Sequence, residues 1–558
     1  MLTRFLPNRF LLVLLMVFAL PACSKAADVE AGKVFFQANC ALCHDASPAK
    51  ATFQGPPLFG VAGRKAGSVA GFDYSAALKA LNAQGKTWTD ANLDAFLADP
   101  QQMAPGTAMP VKVDSADDRK HVIAYLASLT GSTAKSERWV STPATASTSG
   151  YDWHKDAPGV VHTVTVADLP APYATTSAGN GSHYAAPPAG FLPQVPDGVT
   201  ISVFATVEHP RLMTRAPNGD LYVVQQDIGT VLVYRNHGGV LDTRPETFAT
   251  GLNQPFGLDF YPAAAPKYVY VAGVGSVVRI PYAGGAAETI VADLSSTGGH
   301  STRNLVFSPD DKYMYVSVGS GSNVADGMSA TPPGGVAAWE ATHGFGSSWG
   351  SEDGRAVVLR FTPDGKNRHV VATGIRNCVG LGFRPGTSDL YCTTNERDEL
   401  GDNLVPDYFT RVADGQFYGW PWYYLGNHLD PRHKGERSDL AGKATVPDLL
   451  FVSHSAPLGF VFYQAPAGAT HAFPADFDGD AFIALHGSWN RAQRTGSKLV
   501  RVHIKDGKPD GSYEDFMTGL IVDDQTVSGR PASVAVGPDG ALYVGDDTGG
   551  LIWRIAPK

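Results

Sequence analysis

From Val199 onward the chain alternates polar turns with short apolar, aromatic-rich runs. Asn218-Gly219 precedes Leu221-Tyr222-Val223, Pro266 precedes Tyr268-Val269-Tyr270, and Pro309-Asp310 precedes Tyr313-Met314-Tyr315. The order returns at Pro385-Gly386 before Leu390-Tyr391-Cys392, Asp478-Gly479 before Ala481-Phe482-Ile483, and Pro538-Asp539-Gly540 before Leu542-Tyr543-Val544. Turn residues reverse the chain, and β-branched or aromatic side chains suit a packed, pleated surface, so each unit predicts a turn entering a strand. The first two steps between units, 47 and 44 residues along Gly219, Pro266 and Asp310, match the length of a four-stranded propeller blade. Later steps are longer and predict insertions, which a propeller carries on one face around its channel. The six units predict a six-bladed β-propeller over residues 195–558.

Upstream the texture is different. Val29 to Phe36 reads as a short amphipathic helix, and Asp90 to Ala98 and Asp117 to Leu129 as two more, which predicts a small all-α domain over 27–131. Residues 132–194 carry Ser, Thr, Ala and Pro with little periodicity and read as a linker that later wraps onto the propeller. At the start, Arg4 and Arg9 precede the apolar stretch Phe10 to Leu20, which is too short to span a bilayer; residues 1–26 read as an export signal. Leu20-Pro21-Ala22-Cys23 resembles the lipobox of bacterial lipoproteins, whose cysteine is lipidated; the alternative is ordinary cleavage near Ala22 or Ala27. The expectation is a periplasmic protein attached to a membrane only through a lipid on Cys23, with Ser24 leaning to the outer membrane.

Composition narrows the partners. The 558 residues hold 44 Lys and Arg against 53 Asp and Glu, a formal net charge of -9 without basic blocks, so nucleic acid is a poor partner. Only five cysteines are present. Cys40-Ala41-Leu42-Cys43-His44 is the Cys-x-x-Cys-His pattern of c-type haem attachment: two thiols within one helical turn can add to two vinyl groups while the adjacent imidazole reaches the iron. A zinc site would need two further ligands, and no second cysteine pair lies nearby.

Downstream stands Pro105-Gly106-Thr107-Ala108-Met109-Pro110. With it, the segment from Ala27 to Gly131 resembles a class I cytochrome c, which implies haem c bound covalently by Cys40 and Cys43 with iron ligands His44 and Met109. A thioether ligand raises the reduction potential and suits electron transfer. Met103 in place of Met109, and a five-coordinate iron, remain as alternatives.

Several propeller motifs carry no chemistry by themselves. Gly319-Ser320-Gly321 lacks the third glycine and the following helix of a dinucleotide turn. Gly346-Ser347-Ser348-Trp349-Gly350 spells a nucleophile elbow without a helix pattern after it, and Asp476-Phe477-Asp478-Gly479-Asp480 has Gly487 where a calcium loop needs Glu. Other segments act as a set: Gly298-Gly299-His300-Ser301-Thr302-Arg303-Asn304, Gly374-Ile375-Arg376-Asn377, the run Asn395 to Asn403, Tyr418-Gly419-Trp420-Pro421, His486-Gly487-Ser488-Trp489-Asn490-Arg491 and Ser528-Gly529-Arg530-Pro531. Together they resemble the L-sorbosone dehydrogenase group of quinoprotein sugar dehydrogenases, relatives of the soluble glucose dehydrogenase that binds pyrroloquinoline quinone (PQQ) on a six-bladed propeller.

The resemblance implies oxidation of an aldose or sugar aldehyde at C1, with electrons passed through haem c to a respiratory acceptor. PQQ is a flat ortho-quinone with three carboxylates, which calls for guanidinium partners and an apolar floor. By motif, His300 is the expected general base and Arg376 the arginine beside the reacting oxygen. Asn377 and Arg530 are expected in the cofactor site, with Arg211, Trp489 and Arg491 as looser candidates. Calcium is expected on the backbone carbonyls of Arg397 and Asp398, with Asp402 as orienting acid. The glucose dehydrogenase relatives have Gly-Pro where Arg397-Asp398 stands, and their PQQ-binding lysine has no match. Cys378 and Cys392 flank the hairpin that turns near Pro385-Gly386 and are placed to form a disulfide in an exported protein. Two rival readings are an electron-transfer cytochrome with a non-catalytic binding propeller, and a calcium-dependent propeller lactonase.

Overall fold

The computed structural model describes residues 29–40, 44, 46, 55–72, 74–107, 109, 111–129, 151–296 and 299–558. The export signal, Cys23 and Cys43 lie outside the described residues. The chain divides into two compact units, residues 1–138 and 139–558.

In the first unit the helices are Val29–Asn39, Ala76–Ala83, Asp90–Ala98 and Ala116–Ser128, with a single turn at Pro100–Met103. Ser75, Thr89 and Ser115 cap the middle and last helices by accepting from Leu78, Asn92 and Asp118 amides, which satisfies donors that a helix start leaves open. The first and last helices cross at Gly32, where a Cβ would lie 2.0 Å from the His121 carbonyl oxygen, so the contact requires glycine. Phe36, Trp88, Leu93, Phe96, Val122 and Leu126 fill the core between them. No helix among the described residues is long and apolar enough to cross a membrane.

The second unit is a six-bladed β-propeller. The innermost strands are Leu212–Arg215, Gly257–Tyr261, Leu305–Phe307, Cys378–Phe383, Pro457–Phe462 and Pro531–Val536, for blades 1 to 6, and each contacts the next in a closed ring. Close approach around that ring uses glycine: a Cβ on Gly380 would come 2.5 Å from the Leu458 carbonyl, and one on Gly459 2.9 Å from the Ser533 Cα. Second strands such as Leu221–Gln225 and Ala481–Leu485 are buried throughout because neighbouring blades cover both faces, which is why they read as continuous apolar runs. The turn carboxylates recur for a reason: Asp220, Asp480 and Asp539 each receive a guanidinium from their blade's third strand or the residue just after it, Arg235, Arg501 and Arg554. Blade 6 closes the ring by pairing Leu551–Pro557 with Val199–Thr206, so the two ends of the propeller sequence share one sheet with Val199–Thr206 as its outer strand.

From residue 151 the segment expected to wrap onto the propeller adds short strands to it. Val161–Thr163 adds a strand to blade 5 by pairing with Ser512 to Glu514, and His183–Tyr184 pairs with Thr526–Val527. Beneath this strap the Lys498 ammonium sits 2.8 Å from Asp156 and 2.7 Å from Asp515, buried beside His162. Cys378 and Cys392 form a disulfide between the first two strands of blade 4, with Cα atoms 5.7 Å apart.

Candidate functional site

In the first unit, Cys40 directly follows the opening helix and its carbonyl accepts from the His44 amide at 3.0 Å, so the two residues share one turn. His44 Nδ1 donates to the Pro56 carbonyl at 2.8 Å, leaving Nε2 as the ring's ligand atom and fixing its orientation, the usual outer support of a metal-binding imidazole. Gly55 lies against that ring: a Cβ there would come 2.2 Å from His44 Cε1. Met103 and Met109 both pack against the core of this unit, Met109 with its amide on Thr107 Oγ1 at 3.4 Å.

In the propeller, antiparallel pairing puts the start of each innermost strand beside the end of the second, as in Leu212 with Val224, Cys378 with Thr394, and Pro531 with Asp546. One face therefore gathers the residues entering the inner strands and the loops between second and third strands. Arg211, Arg303, Arg376 and Arg530 all hold that entry position or the one next to it, in blades 1, 3, 4 and 6. Three of the long loops, at 319–356, 395–407 and 486–497, belong to this face, whereas the longest insertion of blade 4, residues 413–448, joins its third and fourth strands.

His300 precedes the inner strand of blade 3. Its Nδ1 lies 2.8 Å from the Ser320 carbonyl and 2.9 Å from Ser320 Oγ, and that hydroxyl gives its own proton to the Ser322 carbonyl at 2.7 Å. Both oxygens can only accept, so Nδ1 carries the proton and Nε2 is the bare nitrogen, with no partner among the described residues. Burial first, and then the Arg376, Arg355 and Arg303 guanidiniums, push the imidazole down to about 3, so it is neutral at ordinary pH. Arg355 and Arg303 also donate to the His300 carbonyl, at 2.9 and 3.1 Å, and hold its backbone.

Arg376 uses all five of its N–H donors, on the Asn323 carbonyl and side chain, the Asn395 and Glu396 carbonyls, and Asp398 Oδ2 at 3.2 Å. Asn377 Oδ1 is buried without a partner among the described residues. On the other side, Arg530 donates to the His486 and Gly487 carbonyls at 2.9 and 2.7 Å, and Arg211 to Asp547 at 2.6 Å. Burial, with Arg211 and Arg494 as like charges nearby, lowers Arg530 to about 10. Trp489, on the loop of blade 5 that enters this face, is 52% exposed. Arg491 is occupied with the Asp402 carbonyl at 2.6 Å and the Tyr151 ring; Arg494, which the sequence reading missed, stands with Arg211 and Arg530 instead.

The expected calcium set is partly engaged by protein donors, while Asp402 Oδ1, on the expected orienting acid, is buried without a partner among the described residues. The Asp398 carbonyl already accepts from Arg432 at 2.9 Å, and its carboxylate from Asn490 and Arg376. The Arg397 side chain is buried among Glu396, Asp430 and the Pro421 and Tyr423 carbonyls, and the Asp402 carbonyl is taken by Arg491. Calcium takes six to eight oxygen ligands, and the guanidinium on one of its two expected carbonyls competes for that oxygen. A polycarboxylate suits the cations: Arg211, Arg303 and Arg494 each keep a buried Nε without a partner among the described residues, and burial with Arg355 nearby lowers Arg303 to about 9.

Comparison with known proteins places both units. A family model described as TrAA12-like matches residues 193–408 and 425–558, and one described as cytochrome c matches residues 29–130. The holo PQQ domain of pyranose dehydrogenase from Coprinopsis cinerea is similar in structure, with a TM-score of 0.52 at 19% identity, covering 67% of this chain and 100% of that one. A Trichoderma reesei protein of carbohydrate-active enzyme family AA12 gives 0.52 at 18% identity over 68% and 100%. Cytochrome c 2.1 from Caenorhabditis briggsae is 42% identical over 102 residues, which are 18% of this chain and 88% of that protein. The molecule is thus a cytochrome c domain followed by a six-bladed propeller with a cationic channel mouth. The chain belongs to the TrAA12-like family and carries a cytochrome c domain at residues 29–130.

Proposed function

We propose that this oxidoreductase is a quinohaemoprotein that oxidises an aldose or sugar aldehyde at C1. The observation that carries the reading is the His300 imidazole, held as its Nδ1–H tautomer by Ser320 and presenting a bare Nε2 on a face lined by guanidiniums. Nε2 accepts the proton of the C1 hydroxyl, from a hemiacetal or a hydrated aldehyde. Arg376, fixed by its five donors, keeps a positive charge beside the base; it keeps the imidazole neutral before the transfer and stabilises the negative charge that develops on the C1 oxygen. Arg211, Arg494 and Arg530 would hold PQQ by its carboxylates, the first two through buried Nε–H groups left open, while Asn377 Oδ1, an acceptor, would take a donor such as the pyrrole N–H of the cofactor. PQQ, when bound, supplies a two-electron acceptor for the C1 hydride, and haem c a one-electron carrier toward a respiratory acceptor. The names of the two solved relatives, a pyranose dehydrogenase and a carbohydrate-active enzyme, support a sugar as substrate.

A docking propeller has no use for buried cations with open donors. A calcium lactonase needs carboxylates free in the channel, and here Asp398 and Asp547 are already paired with Arg376 and Arg211. The decisive experiment is titration of the haem-loaded, PQQ-free protein with PQQ, followed by haem absorbance on adding aldoses and aldehydes. Haem reduction that requires both PQQ and sugar is expected; PQQ binding without any such reduction would favour a binding module.

The reading includes export to the periplasm and a lipid on Cys23. Wild type should partition into detergent and Cys23→Ala should not, with secretion intact. Recovery of wild type in the soluble periplasmic fraction would exclude the anchor.

A further inference from the structure

His486 ends up in the same ring from a third direction. It follows the second strand of blade 5, and its Nε2 lies 2.8 Å from Asp547 Oδ1 in the turn of blade 6. The other Asp547 oxygen, Oδ2, accepts from Arg211 at the entry to blade 1 at 2.6 Å. Burial works against the Asp547 charge, but His486 and Arg211 beside it hold the carboxylate far below its usual range, so it is ionised and His486 Nε2 must be the protonated nitrogen. That leaves Nδ1 with a lone pair and no hydrogen-bond partner among the described residues, on a side chain that keeps 14% of its surface open. Around it stand Arg211 and Arg530, the latter also on the His486 carbonyl at 2.9 Å. A bare nitrogen is the wrong group to face an anion, and a protonated one is the right group. Blades 5, 6 and 1 thus converge on a spot where two guanidiniums are already fixed and one more donor appears only if the ring gains a proton.

We propose that His486 is a carboxylate anchor of the PQQ site and takes up a proton from solution when PQQ binds. The inference rests on the PQQ reading above and assigns the blade 5 contact for which the sequence offered no lysine. Its energetics follow from the charges named. Without an anion, burial, Arg530 and Arg211 outweigh Asp547 and keep the ring down at about 4, neutral at pH 6 to 8. A carboxylate at Nδ1 offsets the two guanidiniums and raises that value, so binding and protonation reinforce each other. Affinity should therefore strengthen as pH falls through the raised value of the complex, by up to about tenfold per pH unit, and level off near pH 4 where the free ring is already charged.

The test is calorimetric titration of full-length, haem-loaded, PQQ-free protein with PQQ between pH 5.5 and 8, in pairs of buffers with different ionisation enthalpies. The dependence of heat on buffer counts the protons taken up. Wild type should absorb close to one proton per PQQ at the lower end of that range, and His486→Gln should absorb almost none while its affinity becomes nearly flat with pH. PQQ binding to wild type without proton uptake overturns the proposal and leaves the cofactor reading standing, and equal uptake by His486→Gln does the same. Absence of any PQQ binding overturns both.

Discussion

The Nδ1 proton of His300 is received by a serine, through the Ser320 carbonyl at 2.8 Å and its hydroxyl at 2.9 Å, with no carboxylate in the contact. A carboxylate partner would raise the basicity of the ring; a neutral partner fixes its tautomer and leaves three guanidiniums to lower it. A base must be neutral to act, and this one stays neutral until pH approaches about 3. Haem reduction by sugar in a single turnover should thus show no loss from this group between pH 8 and 5. Ser320→Asp should raise the ring and bring in a limb that falls as pH drops below about 7. A wild-type rate that falls with the protonation of one group near pH 6.5 would sink the assignment.

Removing the base and removing a cofactor partner should give different defects. His300→Ala should bind PQQ as wild type does and lose on the order of 10² to 10⁴ in turnover, its haem remaining oxidised with sugar yet reducible by dithionite. Arg530→Ala takes away a charge-assisted donor and should weaken PQQ by at least about tenfold, with turnover at saturating PQQ much less affected. If His300→Ala reduces its haem as quickly as wild type, the base lies elsewhere.

What could be read from the chain depended on how local each signal is. A blade announces itself because its turn and second strand are contiguous, as at Asp478-Gly479 before Ala481-Phe482-Ile483, and because burial on both faces makes the strand apolar throughout. The haem segment was legible for the same reason: Cys40, Cys43 and His44 lie within five consecutive positions of the sequence. Contacts made across blades leave no such mark. Arg494 and His486 matter because Arg530 and Asp547 come to them from blade 6, and nothing in the spacing of the chain ties 494 to 530 or 486 to 547. The contact at the expected calcium carbonyl is of the same kind, since the Asp398 carbonyl accepts from Arg432, 34 residues away in sequence. The strap was read as a linker because Val161–Thr163 is a three-residue strand whose partner lies near residue 513.

The haem ligand set separates two methionines. Met109→Ala should turn the low-spin iron high-spin and lower its reduction potential, while Met103→Ala should leave the ligand field intact and lose only packing. Gly55→Val should disturb the same spectrum from the other side, because a Cβ at 55 would press on the His44 ring at 2.2 Å. Optical and electron paramagnetic resonance spectra of the three variants check this, and a high-spin Met103→Ala with unchanged Met109→Ala would exchange their roles.

The strap bears on the proposed cofactor site through Asn180. Its Nδ2 donates to the Arg491, Ala492 and Asp524 carbonyls at 3.0, 3.1 and 2.6 Å, its amide to the Trp489 carbonyl at 2.6 Å, and its own carbonyl accepts from Arg494 at 3.0 Å. One asparagine therefore holds the loop that carries Arg494, whereas Thr175 holds the other site loop by accepting from the Asp402 amide at 2.8 Å. Asn180→Ala keeps the backbone contacts and strips the carbonyls of their amide donor, a loss of roughly 1 to 3 kcal/mol for groups left unsatisfied. The loop should loosen before the propeller does, because the six blades do not depend on it. The expected outcome is a PQQ affinity weakened by about tenfold, easier proteolytic cleavage between residues 486 and 497, and an unchanged haem spectrum. A lowered melting temperature with PQQ affinity intact would make Asn180 a fastening of the fold alone, and the strap would then have no part in the site.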